Sequence, residues 1–352
     1  MTSSELLEKP APPWAAEAPG ALLWVRLQLS RNLAKTPFPR HADRETLSRT
    51  AQQAAAAMER WNQEETDRMT GFSVISFSAG ERELLEARRL LPARFPSYHD
   101  QMRLYVNERQ DVSVLVNGFD HVRIQCIQQG ADALRLWGKA VWMETRLSRD
   151  LPWAFDSEFG YLTASPYRAG TGLRLSAALF LPGLAGSGAL AQAAEKAARL
   201  GFSLRSLYDD VSVAYPYCEL LNTVTLGVSE ETLCQRMKQL LKDILEAEQT
   251  AWKHVCGSAG MKWKDAAWRA LGTLKYARLL GARETAECAG AVETGIMSGL
   301  FPSEDPQLFY KLLLAASPAW VRETTRKEEL EEEDVDLWRA VLFRDLIKRA
   351  GF

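Results

Sequence analysis

The sequence predicts an α+β domain followed by an all-helical domain. Strand-like strings with alternating polar positions are interspersed with helical strings along the first 256 residues, without a regular strand–helix–strand repeat. From residue 261 onwards nearly every stretch has helical periodicity. We therefore divide the chain into a flexible tail at residues 1–15, an α+β domain at 16–256 and a helical domain at 257–352.

The elements of the first domain follow from periodicity and turn residues. Pro10, Pro12 and Pro13, with few large apolar neighbours, indicate a mobile start. Strands are predicted at residues 22–29, 72–77, 102–106, 112–116, 121–127, 161–164, 173–181, 202–207 and 211–214. Helices are predicted at residues 41–68, 131–148, 189–200 and 229–252, and Ser229 is expected to cap the last of them.

The second domain begins where the composition shifts, at the glycine-containing stretch 257–260. Helices are predicted at residues 261–280 and 283–297, after Ser303, and in a last segment that ends at Arg349. Because these helices have apolar faces of their own, we expect the two domains to have separate cores.

Composition and charge exclude several classes of function. The 43 Lys and Arg against 45 Asp and Glu give a formal net charge of −2, so no global positive field favours nucleic acid or an anionic membrane. The five cysteines lack the spacing of a disulfide framework or a zinc site, and no metal site is predicted. No apolar stretch has the length of a bilayer span and no secretory leader is recognised, so we expect a cytoplasmic protein.

Arginines inside apolar strand-like strings are the strongest functional signal. Such an arginine needs water or an anion for its fork of donors, and several on converging strands would form a polyphosphate clamp. The alternative is that each one is a solvated position on the outer face of an antiparallel sheet. The residues concerned are Arg26, Arg123, Arg174 and Arg205.

The strings around these arginines resemble the phosphagen (ATP:guanido) kinase family, and most closely its bacterial branch, the protein-arginine kinases. Five motifs occur in the family's order. They are S-R-N-L-A-K-T-P-F-P at 30–39, N-G-F-D-H-V-R-I-Q at 117–125, F-D-S-E-F-G-Y-L-T-A-S-P-Y-R-A-G-T-G-L-R-L-S at 155–176, R-S-L-Y at 205–208 and L-N-T-V-T-L-G at 221–227.

The resemblance implies an antiparallel sheet flanked by helices, with ATP and Mg²⁺ as cofactors and a guanidinium as acceptor. It assigns phosphate binding to the four arginines. It also matches His121 to the histidine of the family's N-E-E-D-H motif, which implies that His121 contributes to nucleotide binding. In the helical domain, Asp336 and Arg339 resemble part of a phosphoarginine-binding motif, in a domain that supports homodimers in the bacterial branch.

The acceptor side departs from the family pattern. The motif N-E-E-D-H reads Asn117-Gly118-Phe119-Asp120-His121 here, so the catalytic glutamate is absent, and Asp210 or Asp209 is the shorter substitute for the second glutamate. Ser165 replaces the active-site cysteine, and Gln28 replaces a further phosphate-binding arginine. Loss of a general base typically removes roughly 10²–10⁴-fold of rate.

Two hypotheses therefore remain open from the sequence. The first is an ATP-dependent protein-arginine phosphotransferase, with ATP or ADP and an arginine-containing protein as partners. The second is a catalytically impaired pseudokinase that binds nucleotide or phosphoarginine as an adaptor. Neither predicts a nucleic-acid or membrane partner.

Overall fold

A computed structural model describes residues 2–8, 11–18, 20–92, 96, 99–207, 216–327 and 330–352. The strands are β1 (Leu22–Arg31), β2 (Met69–Ser73), β3 (Arg103–Asn107), β4 (Val112–Val116), β5 (Val122–Gln128), β6 (Phe155–Asp156), β7 (Gly160–Tyr161), β8 (Leu173–Phe180), β9 (Phe202–Ser206) and β10 (Tyr217–Asn222). The helices are α1 (Ser3–Leu7), α2 (Arg44–Glu64), α3 (Ala79–Ala87), α4 (Ala133–Leu147), α5 (Pro182–Gly186), α6 (Leu190–Arg199), α7 (Glu230–Ala259), α8 (Met261–Tyr276), α9 (Ala282–Met297), α10 (Leu308–Ala315), α11 (Pro318–Thr325) and α12 (Glu332–Arg349).

Eight of these strands form one antiparallel sheet in the order β2-β3-β4-β5-β1-β8-β10-β9, and β6 pairs with β7 in a separate hairpin. The central strand β1 pairs with β5 on one side and β8 on the other. This confirms the predicted α+β sheet flanked by helices. The strand predicted at 72–77 lies at Met69–Ser73 instead, because Val74–Ser76 forms a 3₁₀ helix. The strand predicted at 211–214 lies outside the described residues.

One face of the sheet is largely apolar. Leu27 on β1, Ile124 on β5, Leu175 on β8 and Leu220 on β10 belong to one buried cluster with side chains of α2, α4, α6 and α7. Strand alternation puts the residues between them on the other face. Ser229 caps helix α7, because its Oγ accepts a hydrogen bond from the Thr232 amide at 3.1 Å, so the predicted cap is confirmed.

The other face of the sheet is divided into a polar half and an apolar half. Trp24, Ile127, Ala178, Phe180 and Tyr217 form the apolar half and share one core cluster with residues of α8, α9, α10 and α12. The expectation of two separate cores is therefore wrong, because the helical region buries part of the sheet. The polar half is the surface described below.

Within residues 2–8 and 11–15, where the sequence predicts a flexible tail, the structure buries several apolar side chains. Leu6 and Leu7 on α1 are buried against α3 and β3, and Ala11 and Trp14 are buried in the cluster with the C-terminal helices. Trp14 packs edge-on against Tyr310 with ring centroids 5.8 Å apart. These apolar side chains are few, so their partners, which lie far away in sequence, decide their burial.

Within the described ranges, no helix has both the length and the hydropathy that crossing a membrane requires.

Candidate active site

The polar half of the sheet gathers the predicted arginines on one surface. The register pairs Arg26 with Ser176, Gln28 with Arg174, and Ser30 with Arg123, so these side chains point to the same face. Arg205 on β9 lies on that face too, opposite Glu219 of β10. We call the surface formed by Arg26, Arg123, Arg174 and Arg205 the arginine face.

Several donors of the arginine face have no partner. The Nε atoms of Arg26, Arg123 and Arg174 are buried and find no hydrogen-bond acceptor in the part of the chain that the structure describes. The hydroxyl of Ser176, which is fully buried between β1 and β10, is likewise unpartnered there. Because buried polar groups are normally paired, this arrangement indicates an anionic ligand with several acceptor oxygens.

Burial and mutual repulsion both act on these cations. Burial lowers the pKa of the Arg26 guanidinium to about 9, with further lowering by Arg89. Burial also lowers the pKa of Arg123 to about 10, and Arg168 adds to the effect. The pKa of Arg174 is lowered by burial and then by Arg168. An anion bound to this surface would offset both the burial of these charges and the repulsion between them.

One carboxylate lies among the arginines. Glu219 contacts Arg205, with 2.7 Å between its Oε2 and the arginine Nη2, and lies 3.5 Å from Arg26 through Oε1. Burial by itself raises the pKa of Glu219, but the hydrogen bond from Arg205 and the charges of Arg26 and Arg174 together lower it below its ordinary value. Glu219 is therefore ionised at neutral pH.

Gln28 takes part in a hydrogen-bond chain that fixes the end of α3. Its Nε2 donates to Gln125 Oε1 at 2.7 Å, and Gln125 Nε2 donates to the Arg89 carbonyl at 2.7 Å. The Arg26 and Arg89 guanidiniums lie 5.2 and 5.8 Å from the Trp24 ring centroid. A cavity of about 350 Å³ lies beside Trp24 and Arg89 and is also lined by Leu207 and Tyr310.

The loop between β4 and β5 is held from within the protein. His121 is buried, its Nδ1 accepts a hydrogen bond from the Leu33 amide at 3.1 Å, and burial lowers its pKa to about 4. Asp120 Oδ1 accepts from Asn32 Nδ2 and from the Ala164 amide, each at 2.7 Å. In this structure both side chains connect loops, and nucleotide binding by His121 stays a prediction.

The acceptor side carries exposed aromatic rings where a carboxylate was expected. Phe119 is 52% exposed and Tyr167, two residues after Ser165, is 88% exposed. The Asp120–Ala164 hydrogen bond joins the loops that carry them. The hairpin of β6 and β7, with exposed Phe155 and Phe159, is joined to the same loop because the Tyr161 amide donates to the Gly170 carbonyl at 2.8 Å. We call Phe119, Phe155, Phe159 and Tyr167 the aromatic rim.

The remaining predicted site residues are placed as follows. Gly118 and Ser165 lie on the two loops of the acceptor side, whereas Asp209 and Asp210 lie outside the described residues. Arg339 is 2% exposed and donates to the carbonyls of Leu280 and Ala316 and to Asp336. Those donors are used within the helical domain, and phosphoarginine binding by Asp336 and Arg339 stays a prediction.

Sequence reasoning missed four residues of this surface. Glu219 and Ser176 could have been found from strand alternation, because each follows a buried residue of the opposite face by one position. Arg168 stands in one of the quoted motifs, but only its electrostatic effect on Arg123 and Arg174 places it beside the arginine face. Arg89, at the end of α3, has no signal in the local sequence.

Comparisons with known proteins agree with this geometry. Residues 49–251 match the family model described as ATP:guanido phosphotransferase, C-terminal catalytic domain. Residues 261–351 match the model of the protein-arginine kinase McsB C-terminal domain. A protein named protein-arginine kinase from Pelotomaculum thermopropionicum is 29% identical over 323 residues, which is 91% of this chain and 90% of the relative. One from Desulforamulus reducens is 28% identical and covers 98% of both chains.

Solved structures show the same fold. Lombricine kinase aligns over 73% of this chain and 76% of its own, with a TM-score of 0.56 and 18% identity. The duplicated taurocyamine kinase of Schistosoma mansoni, with bound transition-state analogue components, aligns over 67% of this chain and 34% of its own, with a TM-score of 0.60 and 21% identity. Since the catalytic-domain model matches more than half of its residues, the chain belongs to the ATP:guanido phosphotransferase family.

Proposed function

We propose that this protein transfers the γ-phosphoryl group of ATP to arginine side chains of other proteins. The observation that carries the proposal is the arginine face, whose buried Nε donors on three neighbouring strands have no acceptor among the described residues. The relatives named protein-arginine kinase support the choice of arginine as acceptor.

The cofactors of this family are ATP and Mg²⁺, and the residues present fit them. Arg26, Arg123, Arg174 and Arg205 would hold the phosphates, with Ser176 as a further hydroxyl donor. The cavity beside Trp24 and Arg89 has room for the nucleoside. Mg-ATP supplies the transferable phosphoryl group. The protein's contribution is to position that group and to stabilise its charge, which accounts for most of the catalysis of phosphoryl transfer.

The acceptor guanidinium meets a different surface. Where the family motif has glutamates, Gly118 and Phe119 offer none, so we propose that the rings of Phe119 and Tyr167 hold the guanidinium from its faces. A cation over an aromatic ring is stabilised by roughly 0.5–1 kcal/mol at an exposed site. Proton removal is then assigned to Asp209 or Asp210.

The four rings of the aromatic rim offer more contact surface than one arginine side chain can cover. This favours a polypeptide over a free amino acid as the substrate. Exposed apolar side chains that lie beside polar residues mark interaction sites, and aromatic residues are enriched in protein–protein interfaces. We also propose a division into a catalytic region at residues 16–256 and a helical region at 257–352 that supports homodimers.

The direct test is incubation with Mg-ATP and an arginine-rich protein, followed by mass spectrometry of the acid-labile phosphate. We expect phosphoarginine, and we expect none with Arg123→Met, because that change removes one of the buried cations. Nucleotide binding without phosphoarginine in the unmodified protein would instead support the pseudokinase hypothesis.

A further inference from the structure

We propose that Glu219 is an internal counter-ion of the arginine face, which competes with the phosphates of the nucleotide for Arg26 and Arg205 and thereby sets nucleotide affinity. The inference rests on the proposed function, since it concerns the same site. Glu219 is not one of the four arginines of the arginine face, and its proposed effect is to weaken nucleotide binding.

The geometry places the carboxylate among the donors that a phosphate would use. Glu219 stands directly opposite Arg205 in the β9–β10 pair, with 2.7 Å between Oε2 and Nη2. Its other oxygen lies 3.5 Å from Arg26 Nη2, on a strand two positions away in the sheet. One carboxylate thus bridges two of the four cations.

Burial makes this contact stronger than a surface ion pair. The Glu219 side chain is 9% exposed and that of Arg26 is 12% exposed, so solvent screens their interaction poorly. The Arg205 side chain is 55% exposed and can turn toward a ligand. The competition is therefore strongest at Arg26.

Among the described residues, a second acidic side chain, Asp120, acts on Arg123 but is already engaged. Asp120 accepts hydrogen bonds from Asn32 and Ala164 and belongs to the loop that carries Phe119. Glu219, by contrast, has both oxygens directed at guanidiniums of the arginine face. In the described part of the chain it is the carboxylate that forms ion pairs with this surface.

A phosphate that binds Arg26 and Arg205 must break these contacts or lie beside a like charge. Both outcomes weaken nucleotide binding. A guanidinium N–H that donates to Glu219 is not available to a phosphate oxygen, and two neighbouring negative charges repel each other. Replacement of Glu219 by glutamine keeps the size and a hydrogen-bond acceptor but removes the charge. We expect nucleotide affinity to rise roughly tenfold, about the equivalent of one charge-assisted hydrogen bond.

The experiment is calorimetric titration of ADP, with and without Mg²⁺, into the full-length protein and two variants. Glu219→Gln is expected to bind ADP about tenfold more tightly in both conditions. Glu65→Gln is the matched control, because Glu65 also pairs with an arginine, Arg146 at 3.1 Å, but lies between helices away from the arginine face. The control should bind as the wild type does.

Glu219→Asp provides a second variant if the glutamine form fails to fold. It shortens the side chain and withdraws the charge from both Arg26 and Arg205, so an intermediate gain in affinity is expected. Unchanged or weaker binding in the variants that fold would overturn the inference. Weaker binding that appears only with Mg²⁺ would also overturn it and would assign Glu219 to the metal.

The titration separates this inference from the proposed function. Tighter ADP binding without phosphoarginine formation would support the counter-ion and contradict the phosphotransferase. If ADP binds Glu219→Gln but not the wild type, the result would support the inference and would mean that Glu219 prevents ADP binding in the wild type. Absence of binding in all proteins would overturn both proposals.

Discussion

Replacement of Arg174 by methionine should weaken nucleotide binding without destabilising the free protein. Arg174 lies on strand β8, which pairs with the central strand β1. Its Nε has no acceptor among the described residues, and burial and Arg168 both lower its pKa. In the ligand-free protein the partly buried charge of Arg174 destabilises the folded state. Methionine removes that charge and keeps most of the apolar packing of the arginine side chain. The melting temperature of the ligand-free variant should therefore equal or exceed that of the wild type.

The magnitude follows from one lost charge-assisted contact. Such a contact contributes about 1.5–3 kcal/mol, which corresponds to roughly 10- to 150-fold in Kd. At an ADP concentration of about 100 times the wild-type Kd, the wild type gains about 2.7 kcal/mol of stability. A variant with a Kd about 100-fold higher gains only about 0.4 kcal/mol at the same concentration.

Thermal unfolding with and without Mg-ADP measures both quantities. Arg135→Met is the matched control, because Arg135 is exposed on α4 away from the arginine face. It should show the full wild-type shift. A wild-type shift in Arg174→Met, or a loss of stability in its ligand-free form, would refute the reasoning and make Arg174 a structural residue.

Three further predictions concern the acceptor, the helical region and pH. Phe119→Glu returns a carboxylate to an exposed position and should raise arginine phosphorylation by about 10²-fold or more, as measured by phosphoarginine yield; an unchanged rate would remove Phe119 from the acceptor site. Deletion of residues 261–352 uncovers Phe180 and Tyr217 and should give aggregated protein in size-exclusion chromatography, whereas a soluble, cooperatively folded fragment would contradict a shared core. Burial raises the pKa of Glu293 to about 7, so the folded state binds this proton more tightly than the unfolded chain does. The free energy of unfolding should therefore fall by about 3 kcal/mol as the pH rises from 4.5 to 7. Glu293→Gln should remove that contribution in denaturant titrations across this pH range, and an unaltered pH profile would show that Glu293 does not titrate there.

The arginine face could be predicted from sequence because it depends on local patterns. A strand alternates its side chains, so an arginine between buried leucines must lie on the opposite face from them. Arg26 and Arg174 follow this rule on β1 and β8, and the antiparallel register then makes them neighbours. The Ser229 cap is local in the same way, since the hydroxyl bonds an amide three residues later.

Features that depend on distant partners could not be predicted. Nothing near Trp14 indicates that it packs on Tyr310, about 300 residues further along the chain, and the proline-rich start therefore resembled a free tail. The apolar face of α9 is visible in the sequence, but the fact that α9 covers Phe180 and Tyr217 on the sheet is not. Arg89 reaches Arg26 only because α3 ends above β1 and β5.

The most direct test of the central claim is the reverse reaction. A protein bearing phosphoarginine is incubated with Mg-ADP and this protein, and newly formed ATP is measured by luminescence. Since a site that stabilises the transition state does so in both directions, the account predicts ATP formation that depends on Arg174 and rises in Phe119→Glu. No ATP from the wild type, under conditions where ADP binding is saturated, would contradict phosphoryl transfer at the arginine face.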